Sequence, residues 1–154
     1  CKKLGKCVQE DVVNKLLPKA LEADGIVLGA PVHYASAAGQ ASCAYDRLFV
    51  MSNGAFANKL GAAVVSCRRS GATATFDQLN KYFTISNMPV VSGTYWNQVH
   101  GNTPEEALQD AEGLQMMRTL GENMAWLLQS IEAGKKAGVP APQYEPKVAT
   151  NFIR

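Results

Sequence analysis

The residues able to do chemistry in this 154-residue chain gather in one cysteine turn and three loops. Cys1 and Cys7 flank the turn Cys1-Lys2-Lys3-Leu4-Gly5-Lys6-Cys7, where nearby cations favour a thiolate. The loop Pro31-Val32-His33-Tyr34-Ala35-Ser36 offers a rigid proline, backbone amides and two aromatic rings. That set suits a flat conjugated ligand needing edge hydrogen bonds and face stacking. The loop Cys67-Arg68-Arg69-Ser70-Gly71-Ala72-Thr73 offers two guanidiniums, a hydroxyl and a glycine, which suit carbonyl or anionic edges. The third loop, Tyr95-Trp96-Asn97-Gln98-Val99-His100-Gly101, adds two aromatics and a second histidine. Taken singly, each has a plain structural alternative: aromatics after a strand as core lids, paired arginines as a solvated loop. Their joint position, each read as following a strand, favours a ligand site. A phosphatase reading of Cys67 fails, because a cysteine phosphate loop of the usual kind needs an Arg six residues on and this chain has Thr73. Neither His33 nor His100 has an acid–base partner identifiable in sequence. Cys43 and Cys67 read as small buried hydrophobes, and Asp46-Arg47 as an ion pair holding a helix end or a contact between copies.

The elements that must position these loops alternate in period. Val12, Val13, Leu16, Leu17, Ala20 and Leu21 are spaced as a helix, and Pro18 predicts a break within it. Ile26-Val27-Leu28 reads as a strand buried on both faces and ended by Pro31. Ala41, Ala44 or Tyr45, Leu48 and Met51 mark a helix from Gly39, closed near Ser52-Asn53-Gly54. Gly61-Ala62-Ala63-Val64-Val65 is a second buried strand, and Phe76, Leu79 and Phe83 repeat at helical spacing. Met88-Pro89-Val90-Val91 begins a third strand. Thr103, Pro104 and Glu106 form an N-cap, a first-position proline and a capping box, opening one helix with a buried face to about Glu132 and a stop at Gly134. Residues 139–154, with Pro140, Pro142 and Pro146, read as an extended tail.

Strands alternating with helices predict a parallel sheet with helices on both faces, a doubly wound three-layer α/β/α domain spanning residues 1–154. Three strands are few for such a sheet, and the start at Cys1 places the expected absentees upstream. Hydrophobic residues are 47% and charged residues 18%, with a mean hydropathy of -0.10, the composition of a folded globular chain. The 15 basic against 13 acidic residues leave +2, with no clustered basic face for nucleic acid. No apolar run approaches the roughly 20 residues of a membrane span. A soluble, cytoplasmic protein is the expectation.

At these residues the chain resembles the flavodoxin-like NAD(P)H-dependent oxidoreductases of the FMN-reductase and iron-sulfur-flavoprotein group. The resemblance runs through Gly5-Lys6-Cys7, Ala23 to Gly29, Pro31-Val32, Gly39-Gln40, Asp46-Arg47, Lys59 to Ala62, Arg69-Ser70-Gly71, Tyr95-Trp96-Asn97, Asp110 to Gly113 and Leu120 to Ala125. It implies a five-stranded sheet holding FMN without a covalent bond. Pro31, Val32, His33, Tyr34, Ala35 and Ser36, with Cys67, Arg68, Arg69, Ser70 and Gly71, would border the ring, with Tyr95 and His100 on the substrate side. It places the FMN phosphate in a loop after a first strand that nothing here matches. His33 stands where relatives usually have Tyr, and Ala41 and Ala44 where they have Leu and Phe. Cys1 and Cys7 match the final pair of a four-cysteine cluster motif, and since a four-iron cluster takes four thiolates, no metal is expected unless further cysteines lie upstream. The implied activity is hydride transfer from NAD(P)H through FMN to a quinone, flavin or similar small acceptor, in a homodimer or homotetramer. The alternative is a flavin-binding electron carrier or redox sensor, with or without an iron-sulfur cluster, lacking its own NAD(P)H turnover.

Overall fold

A computed structural model describes residues 1 and 3–152. Asp11 caps the first helix, α1 (Val12–Glu22), its carboxylate accepting from the Val13 amide at 3.0 Å. The helix passes through Pro18 without the expected break. Pro18 lies on the exposed side, where water can take the carbonyl left without a donor one turn earlier, while Val13 and Leu17 anchor the buried side.

Strand β1 (Gly25–His33) runs past Pro31 rather than stopping there. Pro31 sits where the parallel ladder to β3 (Leu60–Cys67) ends, opposite Ser66, a position at which a missing donor costs little. The chain then turns back through the two-residue β2 (Ser36–Ala37), antiparallel to the end of β1. Helices α2 (Gly39–Ser52) and α3 (Ala72–Ile85) follow the expected patterns. Asn53, with φ 48°, closes α2 in the left-handed conformation, as a C-terminal stop commonly does.

The third strand is the largest departure from expectation. Only Val90 of Met88–Val91 bridges to the sheet, at Gly61, and regular pairing resumes at β4 (Gln98–His100), with Val65 opposite Gln98. The intervening residues, Tyr95 and Trp96 among them, bulge out. The expected final helix is likewise two helices, α4 (Pro104–Ala107) and α5 (Ala111–Lys136). Thr103 does cap α4, but Glu106 reaches back to the Asn102 amide at 2.7 Å. A second cap, Asp110, starts α5 by accepting from Gly113 at 2.9 Å. Helix α5 ends at Lys136, beyond Gly134, and Gly138 with φ 84° turns the chain out into a tail without regular structure.

The sheet order is β2-β1-β3-β4. One face packs α1, α2 and α3 around Ile26, Leu28, Ala30, Ala63, Val65, Phe56 and Phe83. On the other, α5 covers Leu60, Ala62 and Val91 with Leu120. In α5 only Gly113, Met116 and Leu120 are buried; of the expected apolar face, Met124, Leu127 and Leu128 are partly buried against this core and Ile131 is exposed. On the α5 side of β1, Val27 is 52% exposed. That strand is therefore buried on one face, not two.

Candidate functional site

The carboxyl ends of β1 and β3 lie side by side and bring two of the three predicted loops together. Residues 31–36 are a tight hairpin rather than an open loop: Val32 pairs with Ala37 and His33 with Ser36, leaving Tyr34 and Ala35 as the two turn residues. Both have positive φ, 52° and 57°. A two-residue hairpin turn of this hand normally uses Asn-Gly; a side chain in the left-handed region costs about 1–2 kcal/mol per residue. Such strain persists only where neighbours over-determine it and is characteristic of ligand sites. Here Gln78 on α3 supplies the restraint, its Oε1 accepting from the Ser36 hydroxyl at 2.8 Å and the Ala37 amide at 2.9 Å. The Ala38 amide donates to the Pro31 carbonyl at 3.1 Å. Sequence reasoning missed Gln78, since one glutamine on a helix gives no signal of its partner. The hairpin holds the Tyr34 ring wholly in solvent, and His33 is exposed beside it.

The second loop closes onto the hairpin at Gly71. Its φ is +87°, and a Cβ there would fall 2.9 Å from both the Ala35 Cα and the Val32 Cγ1, so only glycine allows the two backbones to meet. Gly71 also caps α3, its carbonyl accepting from the Thr75 amide and hydroxyl. Arg68, Arg69 and Ser70 are exposed, and neither arginine forms an ion pair among the described residues. Cys67 itself is buried in the core, so its backbone, not its thiol, borders the rim.

The third predicted loop is divided. Tyr95 and Trp96, in contact with ring centroids 4.7 Å apart and planes tilted by 56°, sit in the bulge beside the middle of β3, not beyond a strand end. Asn97 pins the bulge from inside. Fully buried, it donates to the Ala63 carbonyl at 3.1 Å and accepts from the Gly93 amide at 3.2 Å. His100 does reach the rim, opposite Cys67, and the Gly101 amide donates to the Cys67 carbonyl at 3.1 Å. It also has the partner invisible in sequence: Nδ1 lies 3.6 Å from an Asp110 carboxylate oxygen, which accepts the His100 amide at 2.7 Å. The Gly113 and His100 amides hold the Asp110 carboxyl below the ordinary aspartate range.

The cysteine turn lies apart and is tied down by Arg47. That guanidinium pairs with Asp11 at 2.7 Å, donates to Gln9 at 2.9 Å and approaches the Cys7 sulfur at 3.6 Å. Arg47 thus serves α1 and the turn, whereas Asp46 accepts from Tyr82. Cys7 is buried, while Cys1 and Cys43 are exposed, so Cys43 is not the core residue its apolar neighbours predicted: it occupies the open side of α2. A backbone hydrogen bond at Gln9 and the Arg47 contact draw the Cys7 thiol below its ordinary value. Among the described residues no group of three or more His, Cys, Asp or Glu could hold a metal ion, and no helix is long and apolar enough to cross a membrane.

Two cavities open on the surface. One of about 900 Å³ lies at the opposite end of the sheet, between α5 and the tail and next to Asp24 and Lys59. A shallower one of about 330 Å³ runs along the open face past Gly29, Pro31, Val64, Ser66, Val99 and Met117 toward the rim. The rim's donor set of exposed aromatic, close-packed backbone and exposed guanidiniums suits the ring and carbonyl edge of a flavin.

An open sheet, parallel but for one short strand, with its ligand-suited loops at the carboxyl rim and helices on both faces, is the flavodoxin-like class. Residues 1–103 match the family of NADPH-dependent FMN reductases, and the chain belongs to that family of flavin-binding oxidoreductases. It is 34% identical over 140 residues to the iron-sulfur flavoprotein MJ1083 of Methanocaldococcus jannaschii, covering 86% of this chain and 72% of that one. Among solved structures it resembles a flavodoxin, WrbA-like protein from Agrobacterium tumefaciens (TM-score 0.52, 13% identity, 69% of each chain). It also resembles an NADPH-quinone reductase from P. pentosaceus (TM-score 0.51, 19% identity, 78% of this chain and 76% of that one).

Proposed function

We propose that this chain holds the ring of FMN at the carboxyl rim and passes reducing equivalents from NAD(P)H to a quinone, flavin or similar small acceptor. One observation carries the reading: the strained Tyr34–Ala35 turn locked against Gly71, a costly arrangement that presents the Tyr34 ring to solvent rather than to the core. Bound FMN supplies the hydride-accepting and electron-passing chemistry. The chain's part is to bind and orient. Residues 31–36 offer backbone edges and the Tyr34 face, residues 67–71 offer backbone amides, and Arg68 or Arg69 adds positive charge that favours an electron-rich ring edge. Family membership and the resemblance to a quinone reductase support the acceptor class. Four free cysteines support a reducing cytoplasmic setting. The exposed Tyr34 and Trp126 support a homodimer or homotetramer.

The similarity to an iron-sulfur flavoprotein favours a second reading, an electron carrier fed by a protein partner. Anaerobic stopped-flow with FMN-loaded protein separates the two: NADPH or NADH bleaches the flavin within the turnover time of an oxidoreductase and leaves a carrier oxidised. Failure of the protein to quench FMN fluorescence on titration refutes both.

A further inference from the structure

His100 and Asp110 form a pair that neither the family match nor the relatives' names assign. Asp110 stands at the N-cap of α5, and one of its oxygens accepts the Gly113 amide while the other takes the His100 amide. The latter oxygen also lies 3.6 Å from the His100 Nδ1, so the carboxylate fixes the backbone of the last residue of β4 and stands beside its ring. That leaves Nε2 with no hydrogen-bond partner among the described residues, on a side chain 42% exposed at the rim beside Cys67. The other titratable groups on the elements packed against β4 are Cys67 on β3, Glu105 and Glu106 on α4, and on α5 Glu112 in the first turn and the exposed Arg118, Glu122, Glu132, Lys135 and Lys136 further along. Cys67 is buried, Glu106 is taken by the Asn102 amide, Glu105 is hydrogen-bonded by Thr103, and Glu112 is exposed.

Resting on the oxidoreductase reading above, we propose that His100 is the proton donor to the reduced acceptor and that Asp110 is its positioning residue. The two-electron reduction of a quinone takes up two electrons and two protons. The hydride equivalent lost from the dihydronicotinamide carries both electrons and one proton, and its C–H bond is the one broken. The second proton comes from the His100 imidazolium: its Nε2–H bond breaks, an O–H bond forms on the quinone oxygen, and the neutral imidazole recovers a proton from solvent. Asp110 keeps the ring at the rim through its approach to Nδ1.

Two measurements test this. The chain has two histidines, so NMR of the ring nitrogens of the full-length protein, with His33→Gln to assign the signals, reads the tautomer of His100 without any flavin. Asp110→Asn retains a capping side chain and is expected to shift the tautomer balance away from the Nδ1–H form that the neighbouring carboxylate favours. An unchanged tautomer balance overturns the role of Asp110. With FMN-loaded protein, quinone turnover is then compared with turnover of ferricyanide, which accepts electrons without protons. In His100→Gln the ratio of quinone to ferricyanide turnover is expected to fall at least about ten-fold; an unchanged ratio overturns the proposal. Wild-type flavin that neither NADPH nor NADH bleaches refutes the oxidoreductase reading, and the proton-donor role with it, whatever the ring signals show.

Discussion

Replacing Gly71 by alanine tests the link between the two rim loops. The added Cβ carries two separable costs. Holding an alanine at φ +87° costs about 1–2 kcal/mol. Placing the methyl 2.9 Å from the Ala35 Cα and the Val32 Cγ1 adds an overpacking cost of about 1–3 kcal/mol, because one obstacle is backbone and cannot rotate away. The sum, about 2–5 kcal/mol, is a large part of a typical domain's stability but leaves the chain folded. Gly54 provides the control, with φ +88° and nothing within 4 Å of an added methyl, so Gly54→Ala bears the first cost alone. Urea unfolding of both variants, compared at constant slope, is expected to show Gly71→Ala less stable than Gly54→Ala by at least about 1 kcal/mol. Fluorescence titration is expected to show FMN bound at least about ten-fold more weakly by Gly71→Ala, since displacing the hairpin misplaces the ring-facing groups by enough to forfeit about 1.4 kcal/mol. Equal stabilities for the two variants would refute the claim that Gly71 is required by close approach.

Three further predictions concern the same framework. Ala35→Gly, at φ 57°, is expected to raise unfolding stability by up to about 1 kcal/mol, because relief of left-handed strain outweighs the usual entropy cost of glycine; chemical denaturation checks it. Asn97→Leu removes both hydrogen bonds that pin the bulge and strands the Ala63 carbonyl and the Gly93 amide, costing about 2–6 kcal/mol at 1–3 kcal/mol per group, visible as a lowered urea midpoint. For pH, the Asp110 carboxyl titrates below its unfolded value, so its stabilising contribution is complete above the ordinary aspartate range near pH 4 and is lost as pH falls through the depressed folded value. Thermal melts between pH 6 and pH 3 are expected to show a shallower acid-side decline in Asp110→Asn than in the wild type.

Much of the layering was legible because periodicity reports burial. In the α2, α3 and β3 patterns Leu48, Met51, Leu79, Phe83, Ala62, Ala63 and Val65 are buried as their spacing marks, while Ala41, Ala44, Tyr45, Phe76 and Val64 are partly buried against the core. What escaped were features set by partners distant in sequence. The Thr103 cap was visible, yet Asp110 interrupts the following helix because its carboxylate also satisfies the His100 amide, a demand local patterning does not show. Pro18 was read as a breaker, but exposure decides whether its lost hydrogen bond matters. Two of the candidate loops do meet at Gly71, whose glycine was noted for its type while the reason for it, contact with Ala35, lies 36 positions away in the chain. Tyr95 was misplaced because the bulge ahead of β4 is held by Asn97, whose buried amide reads in sequence as an ordinary loop residue.

The bulge carries a consequence for how this sheet can diversify. Between the bridge at Gly61–Val90 and the pair Val65–Gln98, β3 spends three residues, 62–64, while the other chain spends seven, 91–97. Both ends of the excursion are fixed independently, one by the Gly61 and Val91 amides and the other by Asn97. Extra residues inserted there would lengthen an already closed loop without shifting register on either side, and doubling a loop adds only about 0.6 kcal/mol of closure cost. The strand is thus a frame with a replaceable segment, in which the Tyr95–Trp96 pair can be exchanged for longer inserts while His100 stays at its post on the rim.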